Sequence, residues 1–147
     1  MRVLLGGTFE VLHAGHKKLL NRALRFSDVT IGLSTDSFAR KSKRRKVLSF
    51  TKRKANLWRF FGKRASRVKI FPLEDKFGIA PDDELAEAIV VSEETKPSAL
   101  KINSLRKKKG IAPLKIISVS VVLAYDGKKI SSERVLSGEI DAQGRKL

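Results

Sequence analysis

The 147-residue sequence predicts an α/β fold: an open, mostly parallel five-stranded sheet with helices on both faces, built as a single domain over residues 1–147. Three observations carry that prediction. Short apolar runs alternate along the chain with segments whose apolar residues recur near the 3.6-residue helical period. Glycines stand where such segments should stop, at Gly6-Gly7 after the first run and at Gly62 and Gly110 after two helical ones. The length suits one hydrophobic core, because domains cluster near about 100–150 residues.

Taken in order, Arg2 to Leu5 reads as a buried parallel strand entering a tight loop. Leu19, Leu20, Ala23, Leu24 and Phe26 predict a helix on the sheet over Lys17 to Phe26, and Val29 to Leu33 predicts the second strand. Strand, helix and parallel strand make a right-handed crossover unit of about thirty residues. Asp36 opens a short helix through Ala39, after which Arg40 to Lys46 is too charged for the core and is expected as a loop or exposed helix end. Phe50 to Lys63 is a second crossover helix, and Val68 to Leu73 the third strand. A loop with Gly78 and Pro81 follows, then a strand over Ala88 to Ser92, a helix over Ala99 to Lys109 and a fifth strand over Leu114 to Ala124. Asp126-Gly127 is a turn signal. In such sheets ligands bind beyond the carboxyl ends of the strands, near a switch in strand order. Gly6-Gly7 and Ser92 occupy such ends.

There is no cysteine, which excludes disulfides and thiolate metal sites. Met1 leads directly into an apolar strand, with nothing like a signal peptide or membrane span, so a cytoplasmic protein without membrane attachment is expected. The net charge of +17 is unevenly placed: Ser37 to Leu73 carries fourteen Lys or Arg and no acid, whereas Glu74 to Glu94 carries eight acids and only Lys76. That asymmetry attracts polyanions, either nucleic acid or a phosphate-rich small substrate. Trp58 and Phe60 lie among the basic residues, but their helical spacing favours core packing over base stacking.

The segment GGTFEVLHAGH, residues 6–16, places His13, Gly15 and His16 at the start of the first predicted helix. Imidazoles and exposed N–H groups at a helix N-terminus bind phosphate oxygens, because the orphan donors and the dipole favour negative charge there. Gly15 allows close approach of a nucleotide to the backbone. A metal site is not expected, since His13 and His16 are the only histidines and Glu10 is the one nearby acid.

TFEVLHAGH resembles the first signature of the nucleotidylyltransferase superfamily, and ISSERV at 130–135 resembles the second. Two motifs in this order at opposite ends of an α/β chain are far more specific than either alone. The central segment, residues 74–106, is similar to archaeal-type phosphopantetheine adenylyltransferases and to the corresponding domain of eukaryotic coenzyme A synthase. It carries VVSEET at 90–95, then Ile102-Asn103 and Arg106, and the chain ends with Asp126-Gly127, Arg134 and Gly138-Glu139-Ile140-Asp141.

The resemblance implies a Rossmann-like fold and transfer of AMP from ATP, with Mg2+, to 4'-phosphopantetheine, giving dephospho-coenzyme A and pyrophosphate. It also implies the following roles. Thr8 would bind the acceptor or transferring phosphate, and His16 the α-phosphate. His13, Gly6, Gly7 and Gly15 would shape the ATP side, and Ser131, Ser132 and Arg134 would hold the triphosphate. Lys41 or Lys43 would reach the acceptor phosphate and reaction centre, with Lys43 ahead; either is equally a solvated lysine. Ser92, Thr95, Asn103 and Arg106 would serve nucleotide or pantetheine, with helix capping the alternative for Ser92 and Thr95.

Two positions depart from the family pattern: Glu133 replaces a small hydroxyl residue, and Thr51-Lys52-Arg53 replaces a usually acidic stretch of which Arg53 alone matches. The competing readings are a related transferase with another phosphomonoester acceptor, and a basic nucleic-acid-binding module. No specific nucleic acid is expected, and a monomer is favoured.

Overall fold

Residues 1–147 are all described in the computed structural model. Five parallel strands form one sheet in the order β3-β2-β1-β4-β5. They are β1 (Arg2–Gly7), β2 (Asp28–Ser34), β3 (Val68–Leu73), β4 (Ala86–Ser92) and β5 (Lys115–Val119). Helix α1 (Ala14–Ala23) joins β1 to β2, α2 (Asp36–Lys43) and α3 (Phe50–Phe61) join β2 to β3, and α4 (Lys96–Lys108) joins β4 to β5. The order reverses between β1 and β4, which makes their carboxyl ends the switch point.

Alternation along the strands sorts the apolar residues between the two faces. Val3, Leu5, Val29, Ile31, Leu33, Ala88 and Val90 meet Leu20 and Ala23 of α1 and Leu57 and Phe61 of α3. Leu4, Ile89 and Val91 belong to a second cluster with Ala99 and Ile102 of α4. Helix α4 packs on β4 and β5. The neighbouring part of that face has the small residues Thr30 and Gly32 on β2, and the loop after β3 lies across it, so a groove is left along the sheet.

The predicted order of strands and helices is observed, with shifted bounds. Helix α1 begins at Ala14 rather than Lys17, because His13 caps it. Helix α2 continues to Lys43, so most of the basic stretch after Ala39 is helix end rather than loop. Gly62 stops α3 as expected, and a 3-10 segment (Gly62–Arg67) leads into β3. Strand β5 ends at Val119 rather than Ala124, and the chain then forms a small cap. Ala124, Ile130 and Ile140 make its core, and the short helix α5 (Ser132–Leu136), not foreseen in the sequence, carries the second motif.

Two arginines are completely enclosed. Arg53, 0% exposed, donates to the carbonyls of Thr8 (3.0 Å), Ser34 (2.8 Å) and Leu48 (2.6 Å) and to the Asp36 carboxylate (3.0 Å). Asp36 also accepts from the Phe50 N–H at 2.6 Å, which fixes the start of α3. Arg106, 1% exposed, donates to the carbonyls of Ala80, Asp83, Ala86 and Ala112 at 2.7–3.3 Å.

The expectation that Arg106 and Asn103 serve a substrate is therefore corrected. Arg106 is spent on loop carbonyls near the amino end of β4. Asn103 bonds both backbone groups of Leu114, donating to its carbonyl (2.9 Å) and accepting from its N–H (2.7 Å), which seats α4 against the entry to β5.

Replacing Arg53 by Ala takes the donor from the buried Ser34 carbonyl, from the part-buried Thr8 and Leu48 carbonyls, and from the half-exposed Asp36 carboxylate. The Arg53→Ala protein is expected to lose about 3–5 kcal/mol of unfolding free energy, the scale for removing one partner of a buried charged network. Urea denaturation checks this; a loss below about 1 kcal/mol would show that these bonds contribute little net stability.

Candidate active site

The loop from β1 to α1 is shaped around two imidazoles. His13 Nδ1 accepts from the N–H groups of Gly15 (3.1 Å) and His16 (3.3 Å), so the ring is the N-cap of α1 and its proton resides on Nε2. His16 Nδ1 lies 2.7 Å from the Val11 carbonyl, which only accepts; Nδ1 therefore carries the proton and Nε2 is the free atom. The rings stack with centroids 3.7 Å apart and planes 16° from parallel, and Phe9 backs His16 at 5.1 Å.

Gly15 is required by this stack. A Cβ there would lie 2.9 Å from the His13 ring, so the absent side chain makes room for the cap, and Gly15 also borders the cavity beside the stack. The expectation of free N–H groups at this helix start is corrected. Those of Gly15 and His16 are bound to His13 Nδ1, that of Lys17 to the His13 carbonyl, and that of Ala14 to the Ala142 carbonyl at 2.7 Å. Phosphate recognition at this end must come from side chains.

A cavity of about 480 Å³ opens beside the stack, lined by Gly6, Gly7, His13, Gly15, His16, Lys43, Ser92, Thr95, Lys129, Ser131, Ser132 and Glu133, among others. The groove on the other face, about 260 Å³, is lined by Gly6, Gly7, Thr8, Phe71, Phe77, Ile79, Ile89 and Thr95, among others. Gly6, Gly7 and Thr95 border both, so the two spaces meet at the carboxyl ends of β1 and β4.

Most of the anticipated residues thus assemble from four separated stretches of chain. Lys43 borders the larger cavity, whereas Lys41 is exposed on α2 and borders neither space. Ser131 caps α5 through the Arg134 N–H (3.3 Å), and Ser132 is buried at the cavity wall. Thr95 does not cap α4 with its hydroxyl, which instead accepts from the Ser92 N–H at 3.1 Å and closes the turn after β4.

Arg134 is a further correction. Its guanidinium donates to the carboxylates of Asp126 (2.6 Å) and Glu139 (3.0 Å) and to the Lys129 carbonyl (3.0 Å), and it does not border the cavity. Its charge is already matched by two acids, and it braces the turn that presents Lys129 and Ser131. Lys129, beside the second motif, was overlooked although it borders the cavity and pairs with Glu94. Adjacency to ISS was the available signal. Arg45 was hidden in the basic run, where nothing distinguishes one cation from another. It donates to buried Glu10 through both terminal nitrogens (2.7 and 3.1 Å) and to Glu133 at 3.1 Å, where Lys43 also lies 3.5 Å away.

Lys43 and Lys129 bring positive charge to the cavity, while both imidazoles are held neutral. Burial, with the Lys129 and Lys43 charges adding to it, lowers the His13 pKa from 6.5 to about 4, against an opposing pull from Glu133. Burial and then the neighbouring His13 and the same lysines lower that of His16 to about 3, despite its bond to Val11. Burial alone would favour neutral Glu10, yet hydrogen bonds from Arg45 and the Leu48 N–H, with the Arg45 charge, outweigh it and keep the carboxyl below its ordinary range. No three His, Cys, Asp or Glu side chains are placed to hold a metal ion, and no helix is long and apolar enough to cross a membrane.

Both imidazoles take up protons more readily in the unfolded chain, near pH 6.5, than in the fold, near 4 and 3. Their contribution to stability is present above pH 6.5 and lost as the pH falls through that interval. Urea unfolding midpoints should fall between pH 6.5 and 4, and less steeply in a His13→Asn protein, where a neutral cap replaces one imidazole. An equal slope in both proteins would remove His13 as a source of the acid sensitivity.

The cytidylyltransferase-like family matches residues 4–137. Phosphopantetheine adenylyltransferase of Methanopyrus kandleri is 48% identical over 143 residues, covering 95% of this chain and 90% of the relative. A bifunctional phosphopantetheine adenylyltransferase/NTP phosphatase of Thermoplasma volcanium is 42% identical over 100% of this chain, which spans 45% of that protein's length. A solved structure from Archaeoglobus fulgidus, described as a protein with unknown function, superposes with a TM-score of 0.74 at 39% identity, covering 81% of this chain and 89% of that one. With its parallel sheet, its switch-point cavity and its paired histidines, the chain belongs to the cytidylyltransferase-like nucleotidyltransferases and, within them, to the phosphopantetheine adenylyltransferases of archaea.

Proposed function

We propose that the protein transfers AMP from ATP to 4'-phosphopantetheine, releasing pyrophosphate and forming dephospho-coenzyme A. The observation that carries this reading is the meeting of two unlike spaces at Gly6 and Gly7. The larger, lined by histidines, lysines and hydroxyls, suits a nucleotide triphosphate; the groove with Phe71, Phe77 and Ile79 along it suits the pantetheine arm. Their junction is where an acceptor phosphate would face the α-phosphorus.

In this reading a phosphate oxygen of the acceptor attacks the α-phosphorus in line, a new P–O bond forms, and the bond to the bridging oxygen breaks as pyrophosphate leaves. No protein nucleophile is needed, so the residues act by positioning and by matching developing negative charge. His13 Nε2–H donates to a phosphate oxygen as it stands. His16 presents Nε2 without a proton, and a triphosphate beside it raises its proton affinity, so His16 binds the α-phosphate as the imidazolium. Lys43, at the mouth of the cavity, approaches the transferring phosphate, and Thr8, on the groove side, the acceptor. Ser131, Ser132 and Lys129 hold the β- and γ-phosphates, with Ser92 and Thr95 at the boundary.

Mg2+ enters as part of the ATP substrate. Glu94 and Glu133 are the carboxylates at the cavity and each is paired with a lysine, so the chain supplies no cage for a resident ion. The proposed setting is the cytoplasm, with a monomer as the expected working unit.

Protein incubated with Mg2+, ATP and 4'-phosphopantetheine should yield dephospho-coenzyme A and pyrophosphate in equal amounts. Product from glycerol 3-phosphate, nicotinamide mononucleotide or flavin mononucleotide but not from phosphopantetheine would sink the acceptor assignment. The His16→Ala protein should fold normally and turn over about 100-fold more slowly, the scale for losing one preorganised donor to the transition state. Turnover equal to the parent's would discard the role of His16.

A further inference from the structure

We propose that Glu133 is a positioning residue that sets nucleotide affinity by occupying, with its own carboxylate, the Lys43 ammonium that otherwise meets the phosphates of ATP. The inference rests on the reading of the larger cavity as the ATP site. Glu133 borders that cavity, on the first turn of α5 and next to Ser131 and Ser132. Its carboxylate accepts from Arg45 at 3.1 Å and lies 3.5 Å from the Lys43 ammonium. Arg45 is itself anchored on the far side by Glu10, which is 4% exposed and also holds the Leu48 N–H.

The four side chains form a chain of alternating charge, Glu10, Arg45, Glu133 and Lys43, whose inner end is buried and whose outer end stands at the cavity. Burial disfavours the charged form of Glu133, but hydrogen bonds from its own backbone and from Arg45, with the Lys43 charge, keep it ionised. An ionised carboxylate at this position plays two opposing parts. It holds Lys43 at the cavity and Arg45 behind it, and it competes with phosphate for Lys43. Since Glu10 alone suffices to hold Arg45 through two hydrogen bonds, the competition prevails over the confinement. ATP binding then exchanges a carboxylate for a phosphate on Lys43, and pyrophosphate release restores the original pair.

Calorimetric titration of ATP without acceptor tests this in the full chain. Glu133→Gln keeps the hydrogen-bonding shape and removes the charge; it should lower the Kd for ATP about two- to fivefold, the range for a partly exposed charge interaction. In turnover assays KM for ATP should fall in parallel while kcat does not rise, because tighter ground-state binding leaves the barrier from the bound state no lower. The gain should shrink in a Lys43→Gln background, where that ammonium is already gone, and Glu133→Ser, with a small hydroxyl, should reproduce the Gln result.

Unchanged or weaker ATP binding by both variants, with an unaltered melting temperature, overturns the proposal. Weaker binding that higher Mg2+ restores would make Glu133 a metal ligand instead, and an equal gain in the Lys43→Gln background would mean that Glu133 acts on the triphosphate directly. A parent protein that binds no ATP defeats the nucleotide assignment itself, which separates the two failures.

Discussion

The site depends on the Arg53 guanidinium. Its bonds to Thr8, Ser34, Leu48 and Asp36 gather the carboxyl ends of β1 and β2, the start of α2 and the segment before α3 into one cluster. Chain ends at a sheet edge leave carbonyls that no ladder partner reaches, and an enclosed carbonyl without a donor is costly. One side chain with five N–H donors in a planar fork answers several of them together. The cost of enclosing its charge is offset by Asp36, which also starts α3. The first motif is consequently held from behind by a residue that touches neither cavity. Arg106 does the equivalent for Ala80, Asp83, Ala86 and Ala112, so the loop under the groove is fixed by the same chemistry.

Upon that frame, strand order makes two spaces. The chain leaves β1 for α1 on one face and β4 for α4 on the other, and the parting opens a cleft between the strand ends. On the α1 side, the cap of two imidazoles consumes the amides of the helix start and leaves imidazole Nε2 atoms as the polar groups offered to a ligand. The same burial that lowers their pKa values keeps both rings neutral near pH 7, so the positive charge at the cavity comes from Lys43 and Lys129. The basic run is divided among unlike tasks. Arg53 is interior architecture, Lys43 is tied to Glu133 at the cavity, Arg45 bridges Glu133 and buried Glu10, and Lys41 faces solvent.

Much of the fold was legible because apolar periodicity and glycine stops are local properties. All five strands and four of the five helices were placed, and α1 was begun late only because a histidine is an unusual cap. Strand β5 was drawn too long since Val121, Val122 and Leu123 are as apolar as a strand; they leave the sheet, and Val122 packs on the cap formed by Ala124, Ile130 and Ile140 while Leu123 is exposed. Helix α5 was missed because five residues give periodicity too little length to register. At the site, His13, His16, Gly6, Gly7, Lys43, Ser131 and Ser132 were read from motifs and do border the cavity. Arg106, Asn103 and Arg134 were read from motifs too, and are structural.

By itself, the sequence determined the alternation of strands and helices, the two motifs and the family to which they belong. Tertiary structure alone decided that Arg106 and Arg134 hold carbonyls and carboxylates of the chain rather than border either cavity. That choice depends on acceptors at residues 80, 83, 86 and 112, or 126 and 139, that come together only in the folded chain. It also decided that Lys43 and not Lys41 reaches the cavity, since the two are a fraction of a helical turn apart and chemically alike until α2 is docked. A guanidinium or ammonium has the same donors wherever it stands; its neighbours, set by packing, give it its task.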